Sequence, residues 1–346
     1  MDEALHETDR IDSSYDVVVV GGGVAGLSAA LGLARARRSV LVVDAGHPRN
    51  APAAHAHGYL ARDGMPPLEL LSVGRLEVSG YGGEIVEGTV TSIKRLSQGG
   101  FHVETSDRSG WDARRVLVTT GLVDELPDIP GLRDRWGRDV VHCPYCFGWE
   151  LADAPLGVLA TGPQAAAQAL MWRQWSSDLT LFLHTAPRPT DEQLEQLAAR
   201  GVRVVEGEVA AVEVTDDRLS GVRLRSGHVI PRRALVVGPR FEARHALLDD
   251  LDVTVAEHPL GIGAQVQADP TGLTAAPGIW VAGNVADVTA GVMQSASSGV
   301  TAAAAINADL TAEDTAHAVA VSRMILPGPP HSDQKTPPHS DQPHTT

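Results

Sequence analysis

The chain has 346 residues, 43% of them hydrophobic, a net charge of −15 and two cysteines. That length buries a full core and accommodates two or three domains, while the acidic balance argues against nucleic acid or an anionic membrane surface as a partner. With no run of about 18 apolar residues and an acidic opening, MDEALHETDRIDSSYD, unlike a secretory leader, the expected location is cytoplasmic and the expected partners are small molecules.

Residues 1–14 are expected to be disordered. The valine run at 17–20 predicts a buried parallel strand, and Gly21, Gly23 and Gly26 then spell G-x-G-x-x-G at the turn into an apolar-periodic helix that reaches about Arg37. A second strand, 39–43, ends at Asp44. These are the parts of a dinucleotide site: a tight turn, bare backbone facing a pyrophosphate at a helix N-terminus, and an acid for a ribose hydroxyl. The following stretch, HPRNAPAAHAHGYLARDG, reads as a loop whose polar residues, Asn50 among them, are placed to close over the cofactor. His55 and His57 fit that role and that of solvated loop residues equally well. Strand-like stretches at 84–90, 101–105 and 116–119 lead to TTGLVDELPDIPG, where Gly121, Pro127, Pro130 and Gly131 mark a turn and a linker.

Both cysteines, Cys143 and Cys146, lie in HCPYCFGWE. Two cysteines make neither a disulfide framework nor a four-thiolate zinc site. A C-x-x-C pair is a redox dithiol or half of a Cys/His metal site; His142 adjoins it, but no paired histidines follow at finger spacing, which favours the redox reading. Two buried, unreactive thiols are the bland alternative.

Next, LGVLATGPQAAAQALMWRQWSSDLTLFLH repeats strand, small-residue turn, helix and strand, predicting a second doubly wound domain. Its glycines have changed. Ala160, Gly162 and Ala165 occupy the fingerprint positions with Pro163 in the turn, and HTAPRPTDEQ offers Arg188 where a 2′-phosphate calls for clustered arginines. A strand-like run at 234–237 leads to Gly238 and back to the first domain. GIWVAGNVADVTAGVMQSASSGVTAAAAINADL reads as strand, glycine turn and small-residue helix. From 313 to 346 the chain is expected to be disordered, its end being proline-rich and polar with PPHSDQ written twice.

Taken in this order, G-x-G-x-x-G with Asp44, T-T-G before P-x-x-P-G, C-x-x-C and VAGNVAD resemble the low-molecular-weight thioredoxin reductase family of FAD-dependent disulfide oxidoreductases, over about residues 14–312. The resemblance implies an α/β fold of two Rossmann-like, doubly wound nucleotide-binding domains. An FAD domain from 15–121 and 246–312 would receive a degenerate NAD(P)H-like domain, 122–245, carrying the C-x-x-C. It also implies site roles: Gly21, Gly23 and Gly26 at the FAD pyrophosphate, Asp44 at the adenosine ribose, and Gln294 by the flavin pyrimidine. Gly283 and Asn284 match the closing motif, where the family usually has Asp, and Asp287 is a neighbouring substitute. Cys143 would exchange with substrate, Cys146 would face the flavin, and the protein would be a homodimer.

The eroded second site, and CPYC followed by Gly148, an aromatic and Glu150, resemble a side branch of that family. Its members are dithiol oxidases that close disulfides in small natural products such as gliotoxin and holomycin. The implied reaction passes electrons from a small-molecule dithiol through the cysteine pair to FAD and then to molecular oxygen, with release of hydrogen peroxide. Phe147 stands where the family carries Asp or His after the second cysteine, so acid–base work falls to His142 first, or to Glu150 or water. Phe147 itself reads as the wall of an apolar pocket. The alternatives are a disulfide reductase fed by NADPH or ferredoxin, and a non-enzymatic redox-sensing flavoprotein.

Overall fold

The valines at 17–20 are buried throughout, and the strand they form, β1 (Ser14–Val20), lies in the middle of a sheet with parallel neighbours on both sides. The computed structural model describes residues 14–325; the expectations for 1–13 and 326–346 lie outside the described residues. Ser14 pairs with Asp112, so the last residue of the segment expected to be disordered belongs to a strand.

After β1 come α1 (Val24–Arg35), β2 (Val40–Asp44), α2 (Pro67–Gly80), β3 (Glu84–Glu87), β4 (Val90–Arg95), β5 (Phe101–Thr105) and β6 (Gly110–Val118). With β19 (Ile279–Val281) the strands make one sheet, ordered β3-β2-β1-β6-β5-β4. Strand β6 has two partners on one edge: its first half pairs antiparallel with β5, and its second half pairs parallel with β19. The single strand expected at 84–90 is two. The chain breaks at Gly88, whose amide donates to the Asp44 carbonyl at 2.9 Å, and restarts as β4 beside β5. Alternate residues Val18, Val20, Leu41, Val43, Val116 and Val118 line one face and pack with Phe101, Val103 and Ile279.

The chain then crosses on β7 (Leu122–Glu125) to β8 (Val140–Val141), α3 (Pro144–Phe147), β9 (Leu156–Leu159), α4 (Ala165–Trp172), β10 (Leu179–Phe182), α5 (Asp191–Ala199) and β11 (Arg203–Val205). An antiparallel meander, β12 (Val209–Thr215), β13 (Arg218–Leu224) and β14 (Val229–Pro231), precedes β15 (Ala234–Val237). Strands β11-β10-β9-β15-β8 form an all-parallel sheet covered on both faces. Val158, Leu181 and Val236 pack with Ala169, Trp172 and Leu197 of α4 and α5, while Leu159, Phe182 and Leu235 pack with Val212, Leu219 and Val222 of the meander. That alternation follows from the two-residue period of a strand. It gives the second Rossmann-like body that the degraded repeat predicts, with helices on one face and the meander on the other.

The chain returns on β16 (Arg240–Ala243), followed by β17 (Val255–Glu257) and β18 (Gly263–Val266). Strands β7 and β16, inside the 122–245 boundary, pair antiparallel with each other and share a sheet with β17 and β18, which lie outside it. The crossing strands are therefore joined by hydrogen bonds to the first body.

Helix α6 (Val292–Ile325) ends the described chain. Residues 313–325 are helical, not part of a disordered tail, because no glycine or proline interrupts the alanine-rich run between Gly299 and Pro327. By compactness the chain divides at Asn307, and the part of α6 from Ala308 is a unit of its own, a helix exposed over residues 311–324. No helix among the described residues is long and apolar enough to cross a membrane.

Candidate active site

Gly21 sits at φ +107°, left-handed backbone that L side chains avoid, and this turns the chain sharply from β1 into α1. A Cβ at Gly26 would lie 2.0 Å from the Gly21 carbonyl oxygen and 2.7 Å from Thr119 Oγ1, so α1 packs directly on the turn. At Gly23, the residue capping α1, a Cβ would meet nothing within 4 Å. The turn is thus closed toward the sheet and open at its outer side, at the N-terminus of a 12-residue helix.

Asp44, half-buried at the end of β2, accepts the Gly22 amide at 2.9 Å through Oδ1, and its Oδ2 is paired with Arg75 of α2. Arg75 carries no sequence signal: it stands on a partly exposed helix, and only the packing of α2 beside α1 brings it to Asp44. Thr119, the first residue of T-T-G, stands at the same turn. Its hydroxyl donates to the carbonyls of Val20 and Gly21 and ties β6 to the turn.

The closing motif reaches the same place. Gly283, at φ +75°, would drive a Cβ to 2.9 Å from Ala25 Cβ, and its amide donates to Ser298 Oγ at 2.9 Å. Asn284 donates through Nδ2 to the carbonyls of Asp287 and Ala290, folding the loop onto itself. Asp287 is exposed, and its Oδ1 accepts the amide and hydroxyl of Thr289. Gly283, Asp287 and Gln294 line one cleft of about 470 Å³ with Gln265, Ser298 and Thr301. Asn50 lies in the loop after β2, where its carbonyl accepts the Ala53 amide at 3.0 Å.

Cys143 and Cys146 are joined as a disulfide with Cα atoms 5.3 Å apart, and both are half-buried. Cys143 caps the single-turn helix α3, Pro144 supplies a preset φ in its first turn, and the Cys146 amide donates to the Cys143 carbonyl at 3.2 Å. Gly148 has no room for a side chain: a Cβ there would lie 2.7 Å from the Trp175 indole.

His142 stacks on Trp136 with ring centroids 5.8 Å apart and takes the edge of Phe241 at 5.6 Å. Burial pushes its pKa down to about 4, with the Arg49 guanidinium adding to the shift and Asp124 opposing it. The first candidate for acid–base work is therefore a neutral imidazole clamped between aromatic rings.

The loop after β2 reaches the cysteine segment. Arg49 donates to both carboxylate oxygens of Asp124 and lies over the Phe241 ring. His57 places Nε2 3.3 Å from Glu150 Oε1 and Nδ1 3.4 Å from Asp63 Oδ2. The Gly58 amide and His57 hold the Asp63 carboxyl below its ordinary range. His55 is turned to the Gly64 carbonyl at 3.0 Å.

In the second body, Thr161 donates to the Gly238 carbonyl at 2.8 Å and ties the β9–α4 turn to the end of β15. After β10, His184 accepts the Val209 amide, its pKa pushed down by burial. Arg188 is exposed, and two acids, Asp191 and Glu192, open α5 behind a Thr190–Gln193 capping box.

A family model for the pyridine nucleotide-disulphide oxidoreductases matches residues 15–305. The chain belongs to that family. This pyridine nucleotide-disulphide oxidoreductase is 48% identical to HlmI, whose crystal structure it matches with a TM-score of 0.84 over 90% of this chain and 98% of HlmI. It is 38% identical to thioredoxin reductase tcpT of Claviceps purpurea over 43% of this chain, and so spans about half, 47%, of that protein. With thioredoxin reductase aclD of Aspergillus oryzae it shares 28% identity over 87% of this chain and 98% of that protein.

FAD is the cofactor of this family, and the site fits it. The open edge at Gly23 offers bare backbone to a pyrophosphate at the start of α1. The closing motif at Gly283 and Asn284 lies against the first turn of the same helix.

Proposed function

We propose that the chain oxidises the two thiols of a small substrate to an intramolecular disulfide. The observation that carries this reading is an asymmetry between the two bodies. The first keeps an open glycine cradle, whereas the second, which carries the disulfide, has Pro163 in its turn and a pair of acids after Arg188, where a nicotinamide dinucleotide phosphate needs bare backbone and positive charge. An eroded glycine turn and the lack of clustered arginines after β10 support entry of electrons from a dithiol and not from NADPH.

A substrate thiolate attacks Cys143 Sγ, forming a mixed disulfide and releasing Cys146 as a thiolate. The substrate's second thiolate attacks the substrate sulfur of that bond, expelling Cys143. The substrate loses two electrons and two protons, and the cysteine pair gains both electrons. FAD, when bound, supplies the two-electron acceptor that restores the disulfide, with molecular oxygen as final acceptor and hydrogen peroxide as product. Gly23 and Asp44 belong to the binding of that group; Trp136 and Phe241 keep His142 in place beside Cys143. On the same reading the protein acts in the cytoplasm as a homodimer.

The test is anaerobic mixing of the yellow protein with NADPH and, separately, with dithiothreitol, followed by flavin absorbance. Bleaching by the dithiol alone, with colour restored by air, is expected, together with loss of oxygen uptake in Cys143→Ser and Cys146→Ser. Fast bleaching by NADPH would make the protein a reductase, and undiminished turnover in both variants would remove the cysteine pair from the reaction.

A further inference from the structure

Acids outnumber lysine and arginine 43 to 28 in this chain, so a place where arginines gather without carboxylate partners stands out. A pocket of about 710 Å³ in the second body is such a place. Arg218, Arg232 and Arg233 line it, against one acid, Asp216.

The pocket lies where strands of the parallel sheet begin. Pro155 directly precedes β9, Arg232 and Arg233 directly precede β15, and the Arg233 amide donates to the Pro155 carbonyl at 2.7 Å. Opposite them stands the turn between β12 and β13, and the Arg232 amide donates to the Ser220 carbonyl of β13 at 3.2 Å. Ligands of open parallel sheets bind at the carboxyl ends of the strands, the edge where Thr161 meets Gly238 after the same β9 and β15. Each of these strands has four residues, which separates the two edges by roughly 13 Å. The pocket is therefore distinct from the degraded nucleotide edge and from the cleft at Gly283.

Its charges are poorly matched. Arg232 is only 6% exposed. One terminal nitrogen donates to the Pro231 carbonyl at 2.8 Å and lies 3.4 Å from Asp178 Oδ1, and the other donates to the Thr180 hydroxyl. Its Nε is buried with no hydrogen-bond partner, and Asp178 is exposed. Burial lowers the pKa of this guanidinium, against the pull of Asp178. Among the described residues Arg218 and Arg233 have no ion-pair partner. Asp217, beside Asp216 in the turn, is taken up by Arg135 and Arg138. Cations drawn out of water without anions are costly, so counter-charge is what this pocket lacks.

We infer that this pocket is a second ligand site, for a small organic phosphate bound by Arg218, Arg232 and Arg233. A phosphate dianion brings two charges and three acceptor oxygens to the three guanidiniums, where a carboxylate brings one charge and two oxygens. Thr215 and Ser220, hydrogen-bonded to each other at 3.2 Å, add hydroxyls to the wall. The volume exceeds that of an inorganic ion and is in the range of small-molecule pockets, and Pro155, Leu219 and Pro231 offer apolar contact to a carbon skeleton. The site is independent of the dithiol-oxidising reading.

Calorimetry at low ionic strength on the FAD-loaded protein tests this with phenyl phosphate, benzoate and inorganic phosphate. Phenyl phosphate is expected to bind most tightly, because benzoate keeps the skeleton without the dianion and inorganic phosphate keeps the dianion without the skeleton. Arg218→Gln, in an exposed turn, and Arg233→Gln should each weaken its binding about tenfold, and Arg233→Lys should recover part of the loss. Arg188→Gln, at the opposite edge of the sheet, should leave binding unchanged. Phenyl phosphate should also raise the unfolding temperature of the natural chain, and less so in Arg218→Gln and Arg233→Gln. No binding at millimolar concentration, undiminished binding in both of those variants, or an equal loss in Arg188→Gln overturns the site. Benzoate or inorganic phosphate binding as tightly as phenyl phosphate overturns the ligand class, the first pointing to a carboxylate and the second to a bare ion. None of these readouts depends on turnover, so failure of the oxidase reading and failure of this site are told apart.

Discussion

Arg49 grips Asp124 with two hydrogen bonds, Nε to Oδ2 at 2.8 Å and Nη2 to Oδ1 at 2.7 Å, across 75 residues of chain. The pair joins the loop after β2 to the first crossing strand, and the guanidinium also covers Phe241 on the second crossing strand, which packs on His142. One cation thus connects both crossing strands to the residue preceding Cys143. Asp124 is almost fully buried, so the pair cannot be broken without leaving a carboxylate in a poor environment.

Arg49→Met is therefore expected to destabilise the protein by about 2–4 kcal/mol, read from urea unfolding. Asp124→Leu added to it should recover most of the loss. Equal destabilisation by the double variant would show that the two side chains are not coupled.

The same substitution should raise the pKa of His142, because Arg49 holds it down and Asp124 would then act unopposed. Imidazole NMR titration reads this directly. The folded pKa is near 4 and the ordinary value is 6.5, so between those limits the unfolded chain binds the extra proton. Stability tied to the neutral ring is complete above about pH 6.5 and is lost as pH falls toward 4, by at most about 3 kcal/mol. His142→Phe should flatten stability against pH across that window; an unaltered slope would mean that other groups produce it.

The glycine cradle separates folding from cofactor binding. Gly26→Val forces side-chain atoms into the Gly21 carbonyl and Thr119, and should reduce stability and FAD content together. Gly23→Val meets open space at an ordinary φ of −74°, so it should fold normally and lose FAD. Thermal unfolding and the ratio of flavin to protein absorbance distinguish the two. Full FAD loading of a well-folded Gly23→Val protein would place the pyrophosphate elsewhere.

In the inserted body, Asp139 accepts Arg135 through both oxygens and the Leu219 amide at 2.8 Å, with both charged groups buried. Burial costs Arg135 nothing in protonation, since its pKa is raised by Asp139 first and Asp217 as well, against the opposing effect of desolvation. Asp139→Ala should cost about 3–5 kcal/mol by removing the buried partner of the guanidinium and leaving it only the exposed Asp217, measured by chemical denaturation. A loss under about 1 kcal/mol would mean that the meander and the parallel sheet are held together without it.

Local chemistry made much of this molecule readable from its residues alone. A glycine run at a strand end dictates a turn only glycine tolerates, an acid at the next strand end meets that turn, and a C-x-x-C spacing brings two sulfurs within bonding reach on one helical turn. The inserted body was legible because strand, turn, helix and strand keep their periods even where the glycines are gone. Sequence and structure differ where local pattern competes with context: Gly88 splits one expected strand into two, and residues 313–325 continue a helix into the segment whose polar composition predicts disorder. What only the tertiary structure decided is how distant side chains meet. Arg75 on Asp44, Arg49 on Asp124 and His57 on Glu150 leave no periodic signal, because each depends on the path of a loop or the docking of a helix. The state of His142 belongs to the same class. Its residue type says that it can titrate near neutrality, but desolvation by Trp136 and Phe241 and the charge of Arg49 are properties of the assembled surroundings, and they set the proton affinity.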